Sequence, residues 1–243
     1  MNRAAHVVVG YHHWGLVAGR FCYALARACA YEGGRIKRVI DIPSPYTDEA
    51  RNEIVEAFLA IPDPGKENEF LLMVDSDIEF EKDAISKTMM VAQIHNADVV
   101  WGNYALGTLT NSIFGLDPDP TQELAMVLGD LKPNMVYDNL YGGGTGWCLM
   151  RRSILEKMKE TFPAPWHWFD RDIVKGVNGK LVKMGEDLTF GRRLNQMGAK
   201  QIGYTGLVLL HHKLHPTAPE FMRNEVEAMG LQMAEADTSL VHG

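Results

Sequence analysis

Short apolar runs alternate with helix-patterned segments over the first hundred residues, and this alternation restricts the chain more than any other feature. The runs cover residues 7–9, 39–42, 70–74 and 97–102. Between the first two, Leu16, Phe21, Cys22, Leu25, Ala28 and Cys29 recur at helical spacing, and Gly33 with Gly34 closes the helix. Residues 48–59 set Ile54, Val55, Phe58 and Leu59 on one side of a second helix, and residues 83–95 give a third. Strands that alternate with helices in this way pair in parallel, with helices on the faces of the sheet. Such sheets take ligands beyond the carboxyl ends of their strands. The first candidates are therefore residues 11–13 (Tyr11, His12, His13), Asp41, Asp75, Asp77, Asn103 and Tyr104.

The second half is less regular. A short helical pattern falls at 122–128 and a helix at 153–160. Residues 142–146 are Gly142, Gly143, Gly144, Thr145 and Gly146, a backbone-permissive stretch that could cradle phosphate through its N–H groups or form a tight turn. Trp166, Trp168 and Phe169 fall in a segment (163–169) expected to be a surface loop. They would serve as a stacking platform or as anchors to the core. Glu186 opens a helix to about residue 197, and residues 207–210 form a strand ending at His211 and His212. From Pro219, Phe221, Met222, Val226, Met229 and Met233 make one apolar stripe of a C-terminal helical tail. The expected organisation is one domain over 1–215 and the tail over 216–243, through which a homo-oligomer could form.

With 46% hydrophobic and 23% charged residues, the chain reads as an ordinary globular protein. Its net charge of −7 argues against a protein that coats nucleic acid. No apolar run approaches the ~20 residues of a membrane span. The opening residues lack the pattern of a signal peptide, so a cytoplasmic location is expected. The cysteines, Cys22, Cys29 and Cys148, form no CxxC pair and are expected as buried core thiols. The basic pairs Arg151, Arg152 and Arg192, Arg193 read as solvated helix faces.

Asp75, Ser76 and Asp77 carry the sharpest chemical signal. Two carboxylates two apart at the end of a buried strand need a partner. A divalent cation such as Mg²⁺ or Mn²⁺ takes one or two carboxylates and leaves room for a diphosphate. The plainer alternative is a turn that caps the next helix. Glu186 and Asp187 at a helix start suit the helix dipole, and a histidine such as His211 or His212 is a reasonable further ligand.

In this order, the pieces resemble the GT-A nucleotide-sugar glycosyltransferases, especially the inverting family-2-like enzymes. The resemblance spans roughly residues 6–215. It rests on residues 7–11, Arg51 with Asn52, residues 72–80 around Asp75 and Asp77, residues 143–146, residues 185–188, and the late histidine. The segment from Gly10 to Trp14 departs from it, because the family more usually carries Thr and Asn there. The resemblance implies a GT-A (Rossmann-like) α/β fold with a mostly parallel sheet. It also implies a UDP-sugar-like donor with Mn²⁺ or Mg²⁺, and an acceptor hydroxyl that attacks with inversion. On these positions, Tyr11 would stack near the nucleotide base and Asp41 would accept its imide N–H. Arg51 would neutralise diphosphate, unless it makes a surface salt bridge on its helix. Asp75 would touch ribose or metal-bound water, Asp77 would ligate the metal, and His211 or His212 would complete the coordination. Asp187 would be the base, with Glu186 beside it, while Asn103 and Gly144 would line the donor site. A nucleotidyltransferase, or a non-catalytic nucleotide-sugar binder, is the competing expectation.

Overall fold

In the computed structural model, residues 6–62, 69–105, 111–116, 125–128, 131–175 and 181–212 are described. The first half runs β1 (His6–His13), α1 (Gly19–Tyr31), β2 (Ile36–Pro43), α2 (Thr47–Leu59), β3 (Glu69–Val74), β4 (Ile78–Phe80), α3 (Ala84–Ile94) and β5 (Val99–Gly102). The second half begins with short strands: β6 (Ile113–Leu116), β7 (Ala125–Val127), β8 (Val136–Tyr137), β9 (Leu140–Gly143) and β10 (Trp147–Arg151). It continues through α4 (Arg152–Thr161), β11 (Ile173–Lys175), β12 (Leu181–Lys183), α5 (Glu186–Gln196), β13 (Gln201–Tyr204) and β14 (Leu209–His211).

The main sheet has the order β2-β1-β3-β10-β5-β13-β8. The pairs β1–β2, β1–β3 and β5–β13 are parallel, while β10 runs antiparallel to both β3 and β5, and β8 antiparallel to β13. This is the mostly parallel α/β sheet that the alternation predicts. β3 is buried at every position, as a strand covered on both faces must be. One face carries Val8, Leu71, Met73, Trp101, Cys148 and Met150 against Ile54 and Phe58 of α2, Leu155 and Met158 of α4, and Phe190 and Leu194 of α5. Trp147, which points the other way from Cys148, donates its indole N–H to Thr88 of α3 at 3.1 Å and packs edge-on to Phe80.

Several expectations need correction. Cys22 and Cys29 are exposed; only Cys148 is buried. The inward stripe of α1 is Phe21, Ala24 and Ala28, and each thiol sits one residue, about 100°, around the helix from it. Part of the helical pattern at 122–128 is strand β7, paired with β6, because sheet pairing overrides so short a periodicity; residues 121–124 lie outside the described residues. The aromatic segment turns inward. Trp168 and Phe169 are fully buried, Trp168 donates its indole N–H to the Leu155 carbonyl at 2.9 Å, and Phe169 stacks on Phe190 at 4.6 Å. Asn52 of α2 fastens this segment by donating to the Phe169 carbonyl at 2.7 Å and accepting the amides of Trp168 and Phe169.

The basic pairs are not solvated faces. Arg152 is buried against Glu69 at 2.7 Å and donates to the carbonyls of Phe58, Leu59 and Ile61, which lie at the end of α2 and just beyond it. Arg193 is buried too, holding the Trp166 carbonyl and Asp170. The expected tail, residues 216–243, lies outside the described residues. Among the described residues, no helix is long and apolar enough to cross a membrane.

Candidate active site

The carboxyl ends of β1 and β3 lie side by side, and the start of the reversed strand β10 returns to the same edge. At this edge Arg51 of α2 is the organising side chain. Only 3% exposed, it reaches three carboxylates from distant parts of the chain. Its Nη2 donates to Asp75 at 3.1 Å, and its Nη1 donates to Glu186 at 3.0 Å and to Asp187. Burial opposes the charge on Arg51, but Asp187, Asp75 and Glu186 outweigh it and hold the guanidinium above its ordinary pKa. Both terminal nitrogens are thus committed to carboxylates. This corrects one expectation for Arg51: it makes no surface salt bridge, because its guanidinium is buried and shared among three carboxylates.

Glu186 and Asp187 occupy the first turn of α5, where the unpaired N–H groups of the helix favour negative charge. Asp187 also accepts the Thr145 hydroxyl on Oδ1 at 2.6 Å. The turn carrying Thr145 is tied down on both sides. Gly144 N–H donates to the Ser112 carbonyl at 2.7 Å, Gly146 N–H to the Tyr104 hydroxyl at 2.8 Å, and Asp75 N–H to the Gly146 carbonyl at 3.1 Å. The glycines here are required by close approach. A Cβ on Gly146 would lie 2.8 Å from Asp75 Oδ2, and one on Gly143 would lie 2.9 Å from three atoms of Trp101. Gly144 packs in the same way against Tyr104.

Asp77 follows β3 and meets His211, from β14, at 3.1 Å between Oδ2 and Nε2. The ribbon β4–β14 sets this meeting, with Ile78 opposite His211. The other ring nitrogen, Nδ1, lies 3.1 Å from the Ala105 carbonyl. Donation from Nδ1 to that carbonyl leaves Nε2, when deprotonated, with its lone pair toward Asp77. The hydrogen bond to Asp77 outweighs burial and raises the His211 pKa. His212 turns elsewhere, to Glu79 at 2.8 Å, and only its backbone N–H meets Asp77, at the carbonyl.

The remaining candidates divide. Tyr11 and Asp41 face each other across β1–β2 and are hydrogen-bonded, and His13 reaches Asp41 at 3.2 Å. Burial first, and then the charge of Asp41, raise the Tyr11 pKa. Asn103 is taken up by the chain itself: its carboxamide donates to Asn111 at 3.0 Å and accepts Ser112 N–H at 3.1 Å. Sequence reasoning assigned no role to His12, Thr145 or Tyr104, though each lies in a segment it marked. His12, half-buried at the end of β1, lies among Arg51, Asp75, Glu186 and Asp77. Burial, with Arg51, lowers its pKa against the opposing pull of the carboxylates. Tyr104 is buried, and burial pushes its phenol well up.

Among the described residues, no three His, Cys, Asp or Glu side chains converge closely enough to enclose a metal ion. The donor chemistry nonetheless fits a hard divalent cation, which commonly takes one or two carboxylates and fills its other positions with water and phosphate. Asp77 and His211 offer an oxygen and a nitrogen side by side.

No protein-family model matches the sequence, and no curated protein matches it significantly. Among solved structures, the crystal structure of A197 from STIV matches with a TM-score of 0.58 at 19% identity, over 85% of each chain. The two chains share a fold. Its mostly parallel sheet between helices is the α/β architecture that the sequence leads one to expect. The crystal structure of GalNAc-T7 with UDP, GalNAc and Mn²⁺ matches at a TM-score of 0.49 and 10% identity, over 87% of this chain and 44% of that one.

Proposed function

We propose that this protein transfers a sugar from a nucleoside-diphosphate sugar to an acceptor hydroxyl, with inversion and with the help of Mn²⁺ or Mg²⁺. The observation that carries the reading is the charge imbalance at the sheet edge. Asp75, Glu186 and Asp187 share one guanidinium, Arg51, beside His12, whose pKa burial lowers, while Asp77 has the His211 imidazole as its side-chain partner. A half-buried excess of negative charge is costly unless a cation completes it.

In this reading Asp77 and His211 hold the cation, and Asp75 lies beside them toward the ribose. The bound cation would supply Lewis-acid stabilisation to the departing diphosphate. Tyr11 offers a ring face to the nucleotide base, and Asp41, fixed by Tyr11 and His13, offers a carboxylate to its imide N–H; uridine suits both. Asp187 takes the proton of the acceptor hydroxyl, a poor nucleophile until a positioned base acts on it. Glu186, on the same helical turn, shares Arg51 with it. Inversion needs the base on the sugar face opposite the leaving group.

The test is calorimetric binding of UDP, GDP and CDP with and without Mn²⁺, followed by turnover of the matching nucleotide sugars. The expected result is Mn²⁺-dependent binding that favours UDP and is lost in Asp77→Asn. Binding of no nucleotide in Mn²⁺, or undiminished Mn²⁺-dependent binding in Asp77→Asn, overturns the reading.

A further inference from the structure

The two oxygens of Asp187 are treated differently. Oδ1 accepts both the Arg51 guanidinium and the Thr145 hydroxyl, while Oδ2 receives the Thr145 backbone N–H at 3.4 Å, a long contact. Thr145 itself has no exposed surface. Its neighbours fix the turn to three separate elements. Gly144 is bound to Ser112, whose hydroxyl joins the Gly102 carbonyl and the Tyr104 amide; Gly146 is bound to Tyr104 and to Asp75. A hydroxyl on so rigid a mount defines the orientation of the carboxylate it holds.

We infer that Thr145 is a positioning residue for the base. Its hydroxyl and Arg51 saturate Oδ1 of Asp187 and leave Oδ2 as the atom that accepts the acceptor proton. The inference rests on the glycosyl-transfer reading of this site. In the step, the acceptor proton moves to Oδ2 and the acceptor oxygen forms its bond to the anomeric carbon. The bond from that carbon to the diphosphate oxygen breaks, and its electron pair leaves with the nucleoside diphosphate. Without the Thr145 hydroxyl, Arg51 and the long Thr145 N–H contact alone hold the carboxylate, and its orientation about the Cβ–Cγ bond is less closely fixed.

The experiment compares full-length wild type with Thr145→Val, Thr145→Ala and Thr145→Ser. Turnover of a UDP-sugar, with water as acceptor where no other is known, is measured beside UDP affinity in Mn²⁺ and thermal unfolding. Loss of a hydrogen bond to a charged group predicts kcat down about 10- to 100-fold in Thr145→Val and Thr145→Ala. UDP affinity is expected to stay within about twofold, since this hydroxyl is buried and already bonded to Asp187, and Thr145→Ser is expected to recover most of the rate. If Thr145→Val fails to fold, the comparison of serine with alanine decides. Equal rates in serine and alanine variants, wild-type kcat in either variant lacking the hydroxyl, or a loss of UDP affinity that matches the loss of rate overturns the inference while leaving the function standing. A wild type that neither binds nor turns over any nucleotide sugar overturns both.

Discussion

Replacing Arg51 with methionine keeps an apolar stem of similar reach and deletes the charge that three carboxylates share. Asp75, Glu186 and Asp187 have side-chain exposures of 25%, 20% and 29%, so water screens part of the loss. Breaking a buried ion pair costs about 3–5 kcal/mol, and partial exposure places this variant near ~3. At about 2–4 °C per kcal/mol for a domain of this size, Tm falls by about 6–12 °C at pH 7. Arg51 has a raised pKa, so its charge contributes fully at every pH below the ordinary guanidinium value and is lost only above it. Toward pH 4 carboxylates as a class begin to take up protons, which weakens attraction to a guanidinium in the wild type and repulsion in the variant alike. Thermal melts of wild type and Arg51→Met at pH 7 and pH 4 are the assay, with Arg51→Lys as the intermediate case. The Tm gap should shrink at pH 4. A gap below about 2 °C at pH 7, or one as large at pH 4, would refute the claim that charge holds the cluster together.

Two further outcomes are expected. In metal-free protein the His211 imidazole should titrate above 6.5 by NMR, because the protonated ring donates to Asp77; Asp77→Asn should bring the midpoint down. The stability it lends is whole below 6.5 and is lost as pH rises through the raised midpoint. Gly143→Ala should destabilise the fold by about 1–3 kcal/mol in urea melts, since the new methyl meets Trp101 in a filled core. Gly19→Ala, with open space at the start of α1, should not.

The strands and helices of the first half were legible because each carries a periodic pattern long enough to read. Residues 70–74 and 48–59 are the clearest cases. The edge that gathers the site was legible too, since it follows from parallel pairing. What pattern cannot give is partner choice over long separations. Nothing in the sequence says that Arg51 turns inward to residues about 135 positions away, rather than outward to solvent. Arg152 and Arg193 were misread for the same reason: an arginine is buried where carbonyls and a carboxylate happen to converge, and periodicity does not record that. Cys22 and Cys29 failed by one step of helical phase. Of the two histidines, only the register of β14 against β4 shows which meets Asp77.

The reversed strand β10 also has a consequence for synthesis. It lies between β3 and β5, yet both are made before it. As the chain emerges, β1, β2 and β3 are able to pair, but β3 then presents an open edge, apolar from Phe70 to Val74, with unpaired amides and carbonyls facing outward. That edge waits for the roughly 80 residues that separate it from the end of β10, a delay of about 4–15 s at ordinary translation rates. When β10 arrives it closes the edges of β3 and β5 in one event. Misassembly of this protein is therefore most acute within that interval, and slowing translation between residues 74 and 151 should lower soluble yield more than slowing it afterwards.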